Sequence, residues 1–253
     1  MSFIFRSLHF RRSRKGCYKM RKIKKLYGAW DFKKDVAKNF YNHINKSVPL
    51  YKEGHQLILK ISDFFLKEGS ICYDIGCSTS DLLISLKKYT NKKKIKFIGF
   101  DIEKDMIKVS KQNIKNSKIK DIYVFNKDIS KVKLLKSDLI ISYYTIQFIN
   151  PKKRQEIINK IYKSLNWGGC FVMFEKFRGP DARFQDLFVQ IYNDFKQSKG
   201  FSVHEIFNKQ KSLRGILEPF SDYGNLSLLK RAGFKDISSL AQFINFKGYI
   251  CIK

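Results

Sequence analysis

Three carboxylates stand at places in the sequence where ligand chemistry is expected: Asp74, Asp101 and Asp128. Each closes or closely follows a short apolar run that reads as a β-strand: SICYDI (70–75), KFIGFD (96–101) and IYVFN (122–126). In an open parallel sheet, ligands sit outside the carboxyl ends of the strands, so acids at three successive ends converge on one site. Asp101 is placed to accept both hydroxyls of a ribose, Asp128 to meet an adenine amino group, and Asp74 to face an ammonium group. The loop that follows the first strand, YDIGCSTSDLL (73–83), carries Gly76 but has Ser78 and Ser80 where a dinucleotide loop would place further glycines.

Those serines narrow the ligand. A dinucleotide needs several loop glycines because its pyrophosphate packs against the helix N-terminus. S-adenosylmethionine has no phosphate, and its amino-acid tail and sulfonium need acids, carbonyls and only one or two close backbone approaches. The loop and the acids therefore point to S-adenosylmethionine. A short-chain dehydrogenase would want YxxxK on a helix; Tyr123 and Lys127 have that spacing but fall on an expected strand.

The elements that must position these groups alternate along the chain. An amphipathic helix is expected from Asp31 to Val48, interrupted at Pro49, and a second from Lys52 to Lys67. After the first strand, Ser78 or Ser80 is placed to cap the next helix, and a further helix is expected over 104–115. A strand over 138–144, a helix over 151–165, a turn at NWGG (166–169) and a strand over 170–176 follow. Helices near 180–199 and 223–232 precede final strands near 236–243 and 246–252. The alternation predicts an α/β fold, a Rossmann-like, doubly wound, seven-stranded, mostly parallel sheet with N-terminal helices.

Composition bounds the rest. With 51 Lys+Arg against 22 Asp+Glu the formal net charge is +29, enough to attract polyanions such as RNA. Lysine is nevertheless spread along the whole chain with Ile, Asn, Tyr and Phe, as AT-rich codons produce. The 5 cysteines make no CxxC pair and no Cys/His spacing suited to zinc, so no metal is expected, and reduced buried thiols fit a cytoplasmic protein. No apolar run is long enough to cross a bilayer. Residues 1–30 are rich in Lys and Arg and lack acids. They read as a basic disordered tail, a targeting peptide, an RNA-binding arm, or sequence upstream of a start at Met20, ahead of a single domain over 31–253.

Taken together, these features resemble the class I S-adenosylmethionine-dependent methyltransferases. More narrowly, SVPLY (47–51), YDIGCS (73–78), KDI (127–129), TIQFI (145–149), EKF (175–177) and DFKQSKGFS (194–202) are similar to the carboxy-S-adenosylmethionine synthase family, which serves tRNA wobble-uridine modification. The resemblance implies cofactor contacts from Tyr51, Gly76, Cys77, Ser78, Asp101, Ile102, Asp128 and Ile129. Tyr143 stands where the family has Asn, and Gln210 where it has an arginine suited to clamping the extra carboxylate of carboxy-S-adenosylmethionine. If 205–217 is helical, Arg214 shares a face with Gln210 and can substitute; Arg178 and Arg183 are further cations for that task.

Methyl transfer is an in-line displacement that mainly requires positioning, so no nucleophile and base pair is demanded. Tyr144 and Glu175 are expected on the substrate side, with Arg214. The leading expectation is a methyltransferase acting on a small molecule or in a tRNA pathway. Its alternatives are a carboxy-S-adenosylmethionine synthase using prephenate and a non-catalytic RNA-binding protein on the same fold. The family resemblance also implies a homodimer.

Overall fold

A computed structural model describes residues 40–253; the basic stretch 1–30 and the start of the helix expected from Asp31 lie outside the described residues. The helices are α1 (Phe40–Ser47), α2 (Tyr51–Phe65), α3 (Asp81–Tyr89), α4 (Lys104–Ser117), α5 (Pro151–Ser164), α6 (Ala182–Ser198), α7 (Val203–Ser212) and α8 (Asp222–Ala232). The strands are β1 (Ile71–Ile75), β2 (Lys96–Asp101), β3 (Ile122–Asn126), β4 (Ser137–Tyr143), β5 (Leu165–Lys176), β6 (Asp236–Phe243) and β7 (Phe246–Ile252). They form one sheet in the order β3-β2-β1-β4-β5-β7-β6. The first five run parallel, and β7 lies antiparallel between β5 and β6. This is the doubly wound architecture expected from the alternation, with the switch in strand order at β1 and β4.

Both faces of the sheet are covered, which explains why the central strands are apolar without alternation. All seven residues of β4 are buried. Leu139 and Ile141 join Ile58 and Leu59 of α2 and Leu83 and Leu86 of α3 on one face. Ile140 joins Ile157, Ile158 and Ile161 of α5 and Leu228 and Leu229 of α8 on the other. The helix ends follow local chemistry. Asn150 caps α5 through Lys152 N–H with Pro151 at its first position, and Ser202 and Glu205 form a capping box on α7.

Three local expectations are corrected. The NWGG segment lies within the span of β5, as an excursion between the Ser137–Leu165 and Leu139–Cys170 pairings. Ser80 precedes α3 but does not cap it; its hydroxyl bonds that of Ser110 at 2.6 Å. The helix expected through 217 stops at Ser212 and passes into a turn in which Gly215 has φ 71°. Arg214 therefore does not share a helical face with Gln210.

The antiparallel strand β7 approaches β5 closely at Gly248, where a Cβ would lie 2.5 Å from the Phe174 ring. Gly248→Ala is expected to destabilise the protein by about 1–3 kcal/mol through overpacking. Thermal unfolding checks this, and an unchanged Tm would show that the Phe174 ring yields freely.

Candidate active site

The carboxyl ends of β1, β2 and β4 open into a cavity of about 1240 Å³ roofed by α1, α6 and α7. The loop after β1 holds three left-handed residues: Gly76 at φ 78°, Ser78 at φ 48° and Ser80 at φ 65°. At Gly76 the reason for glycine is double, since a Cβ would also meet Thr145 Oγ1 at 2.1 Å. The two serines adopt the glycine-like conformation without being glycine, which is tolerated where the surroundings fix it. Ser78 shows how: its N–H donates to Asp101 Oδ2 at 2.8 Å, while Glu103 N–H donates to Oδ1 at 2.9 Å. A carboxylate has about four lone-pair sites, so Asp101 keeps acceptor capacity for ligand hydroxyls.

Asp74 is 2 % exposed, and its Oδ1 has no hydrogen-bond partner. Burial, reinforced by the nearby Asp101, pushes its carboxyl up to about 7. Asp128 Oδ1 accepts Ser130 N–H at 2.8 Å, and that bond holds its carboxyl below the usual range. Ile102 is 65 % exposed and Ile129 is buried, and both line the same cavity. Tyr51, Cys77, Ser78, Tyr143 and Tyr144 line it as well, so the expected cofactor residues are brought together.

These groups fit S-adenosylmethionine. The orphaned, buried Asp74 Oδ1 suits an ammonium group, Asp101 suits a ribose, and Asp128 beside Ile102 and Ile129 suits an adenine. Among the described residues, no group of three or more His, Cys, Asp and Glu side chains is arranged to hold a metal ion.

Other expected residues have different surroundings. Tyr143 donates its hydroxyl proton to Tyr51 O at 2.7 Å and packs in an aromatic cluster with Tyr51, His55 and Phe174. Its one proton is thus committed within the protein. Tyr144 has φ 59°, a strained value for an aromatic residue, and its N–H is held by Phe174 O. Glu175, expected on the substrate side, is buried and does not line the cavity. Its Oε1 and Oε2 accept the N–H groups of Ile146 and Gln147 at 2.9 and 2.8 Å, which makes it a brace for the turn after β4. Arg214 and Arg178 are exposed at the cavity edge, and Arg183 does not line it.

Several wall residues were not singled out from sequence. Thr145 packs over Gly76, buried His55 joins the tyrosines, and Lys176, Lys196 and Lys209 line the same cavity. Lys176 and Lys196 lie within the EKF and DFKQSKGFS segments, which was the available signal.

Residues 66–226 match the methyltransferase domain family. A S-adenosylmethionine-dependent methyltransferase structure from Aquifex aeolicus has a TM-score of 0.57 at 15% identity, covering 87% of this chain and 99% of that one. One from Methanococcus maripaludis, titled a putative S-adenosylmethionine-dependent methyltransferase, has a TM-score of 0.57 at 20% identity, covering 88% and 94%. At such identities the likeness concerns the fold. Fold, site and domain match define a class I S-adenosylmethionine-dependent transferase, with S-adenosylmethionine as its cofactor. The carboxy-S-adenosyl-L-methionine synthase of Staphylococcus epidermidis is 36% identical over 88% of this chain and 97% of its own length. That of Campylobacter lari is 35% identical over 91% and 97%. The chain belongs to the carboxy-S-adenosyl-L-methionine synthase family.

Two outcomes follow from this geometry. An ammonium pairs with Asp74 only when the carboxyl is ionised, and its folded pKa is raised. S-adenosylmethionine affinity should therefore rise with pH up to about 7, by at most about tenfold per unit, and then level off. Calorimetric titration across that range checks it, and Asp74→Asn should bind weakly with a flat profile. Glu175→Gln replaces one of two acceptors with a donor, so it should destabilise the fold by about 1–3 kcal/mol in urea. A variant of unchanged stability but lost turnover would return Glu175 to the substrate.

Proposed function

We propose that this transferase forms carboxy-S-adenosylmethionine, taking the carboxylate from a small organic acid such as prephenate and supplying tRNA wobble-uridine modification. The observation that carries this reading is the contrast between the two sides of the cavity. Asp74 and Asp101 line it from the ends of β1 and β2, whereas Lys176, Lys196 and Lys209 line it from β5, α6 and α7. A cationic wall beside the cofactor pocket suits an anionic reactant better than a neutral methyl acceptor. Family membership at 36% identity over most of the chain supports the same reading.

When bound, S-adenosylmethionine supplies a methyl group whose carbon the sulfonium activates and whose protons it makes more acidic. Asp74 would hold the ammonium of the amino-acid tail, Asp101 the ribose, and Asp128 with Ile102 and Ile129 the adenine. The lysines would bind and orient the organic acid, and the aromatic group of Tyr51, Tyr143 and Tyr144 would keep water from the reacting carbon. An ordinary methyltransferase is the second reading, favoured by one observation: Gln210 replaces the family arginine, and its amide is tied to Asn193 at 3.0 Å.

Two further expectations enter as proposals. Helix α6 exposes Phe184, Leu187 and Ile191, an apolar stripe suited to a second copy of the chain. Buried, free Cys72, Cys77, Cys170 and Cys251 support a reducing, cytoplasmic setting, and no described helix is long and apolar enough to cross a membrane.

Mass spectrometry of the small molecule released on denaturation, followed by incubation with S-adenosylmethionine and prephenate, tests the reading. The expected product is the cofactor heavier by CO2, a carboxyl group replacing one methyl hydrogen, with phenylpyruvate and water left from prephenate. Plain S-adenosylmethionine or S-adenosylhomocysteine, with no carboxylated product on incubation, would establish the ordinary methyltransferase instead.

A further inference from the structure

Lys176 ends β5 and Lys196 lies in the last turn of α6, yet their ammonium groups meet at one aromatic ring. Lys176 Nζ is 4.2 Å and Lys196 Nζ 4.3 Å from the centroid of Tyr192, and Lys176 Nζ is 5.5 Å from that of Phe246. The Tyr192 ring is fixed from its other end, where the hydroxyl donates to Ser47 O of α1 at 2.7 Å. Lys196 is 8 % exposed and is the one buried residue of the seventeen in α6. Among the described residues, no carboxylate lies within 4.0 Å of either ammonium nitrogen, although four other lysines do find such partners.

A lysine this buried is ordinarily paired, because removing an ammonium from water is costly. Contact with an aromatic face offsets only part of that cost. The cost is visible in the titration of the group: burial lowers Lys176 to about 7 and Lys196 to about 8, and the charge of Lys196 lowers both Lys176 and Lys209. Lys209 is hydrogen-bonded to the His43 ring of α1. Three cations from three elements thus line one cavity, beside a neutral Gln210, and Glu205 lies one helical turn from Lys209 on α7. Surface lysines separate to relieve such repulsion, whereas these are held by packing.

We infer that Lys176 and Lys196 form the carboxylate-binding subsite for the reactant that meets S-adenosylmethionine in this cavity, supplying the positive charge that Gln210 lacks. The inference rests on the reading of the cavity as a carboxylation site. The ligand class is a small-molecule carboxylate. A free acid can enter the cavity and receive an ammonium hydrogen on each oxygen, whereas a polymer phosphate cannot reach a side chain as enclosed as Lys196.

The test uses the full chain and malonate as the probe. S-adenosylmethionine affinity is measured first by calorimetry, and malonate is then titrated into the cofactor-saturated protein. Lys176→Met and Lys196→Met should each weaken malonate about tenfold or more while leaving S-adenosylmethionine affinity within about twofold, and Lys196→Arg should keep malonate binding. On the wild-type protein, malonate should protect Lys176 and Lys196 from acetylation by acetic anhydride while exposed Lys94 stays reactive. This second arm needs no variant to fold. Malonate affinity unchanged in both methionine variants, displacement of the cofactor by malonate, equal binding of inorganic phosphate, or no protection would each overturn the assignment. A wild-type protein that binds no S-adenosylmethionine would instead remove the carboxylation reading, and this subsite with it.

Discussion

The turn after β4 exists in its observed form because a buried carboxylate accepts two backbone N–H groups there. Glu175 binds Ile146 N–H and Gln147 N–H, and the same turn is held from outside by Arg154, which donates to Gln147 O and Ile149 O. Gln147 completes the brace by accepting Lys176 N–H through Oε1 and donating to Tyr144 O. Burial pushes the Glu175 carboxyl up to about 8 against the pull of its two N–H donors and of Arg154. A fully bonded buried network of this kind fixes one conformation, and a partial one would be worse than an apolar core. What it fixes is the site: Tyr144 in a left-handed conformation, Thr145 against Gly76, and Lys176 at the mouth of β5.

The loop after β1 depends on that turn in a second way. Thr145 occupies the space a side chain at position 76 would need, so β4 and β1 set each other's loops. Ser78 and Ser80 then take left-handed backbone angles, Ser78 secured by Asp101 and Ser80 by Ser110. The backbone shape of a glycine-rich loop is retained, but side chains now stand where a pyrophosphate would have to pack. That distinction is what makes the loop suitable for a nucleoside carrying an amino acid.

Much of this was legible in the residues because each acid sits where the chain changes period. Asp74 and Asp101 end strands, Asp128 follows one, and all three line the cavity. Glu175 obeys the same sequence rule and still turns inward, because its partners, the N–H groups of Ile146 and Gln147, lie nearly thirty residues away in the chain. The end of α7 was readable in principle: Gly215 in a left-handed conformation marks a turn, and the helix has already ended at Ser212, before Arg214. The lysine wall was not readable. Lys176, Lys196 and Lys209 belong to three elements, and in a chain with 51 Lys+Arg only the EKF and DFKQSKGFS segments set Lys176 and Lys196 apart, without showing that they meet. Only packing distinguishes the buried ones.

The same cause, burial, acts with opposite sign at the two sides of the cavity. It raises Asp74 to about 7 and lowers Lys176 to about 7, so each side is driven toward its neutral form. Within the described residues, no ion pair joins these acids and lysines, though each alone would gain from one. A fold selected only for stability would pair them or replace them with apolar groups, since unpaired buried charge is among the costlier features a core can retain. Separation leaves Asp74 for an ammonium and the lysines for a carboxylate. A ligand ammonium at Asp74 and a ligand carboxylate at the lysines would relieve both costs at once.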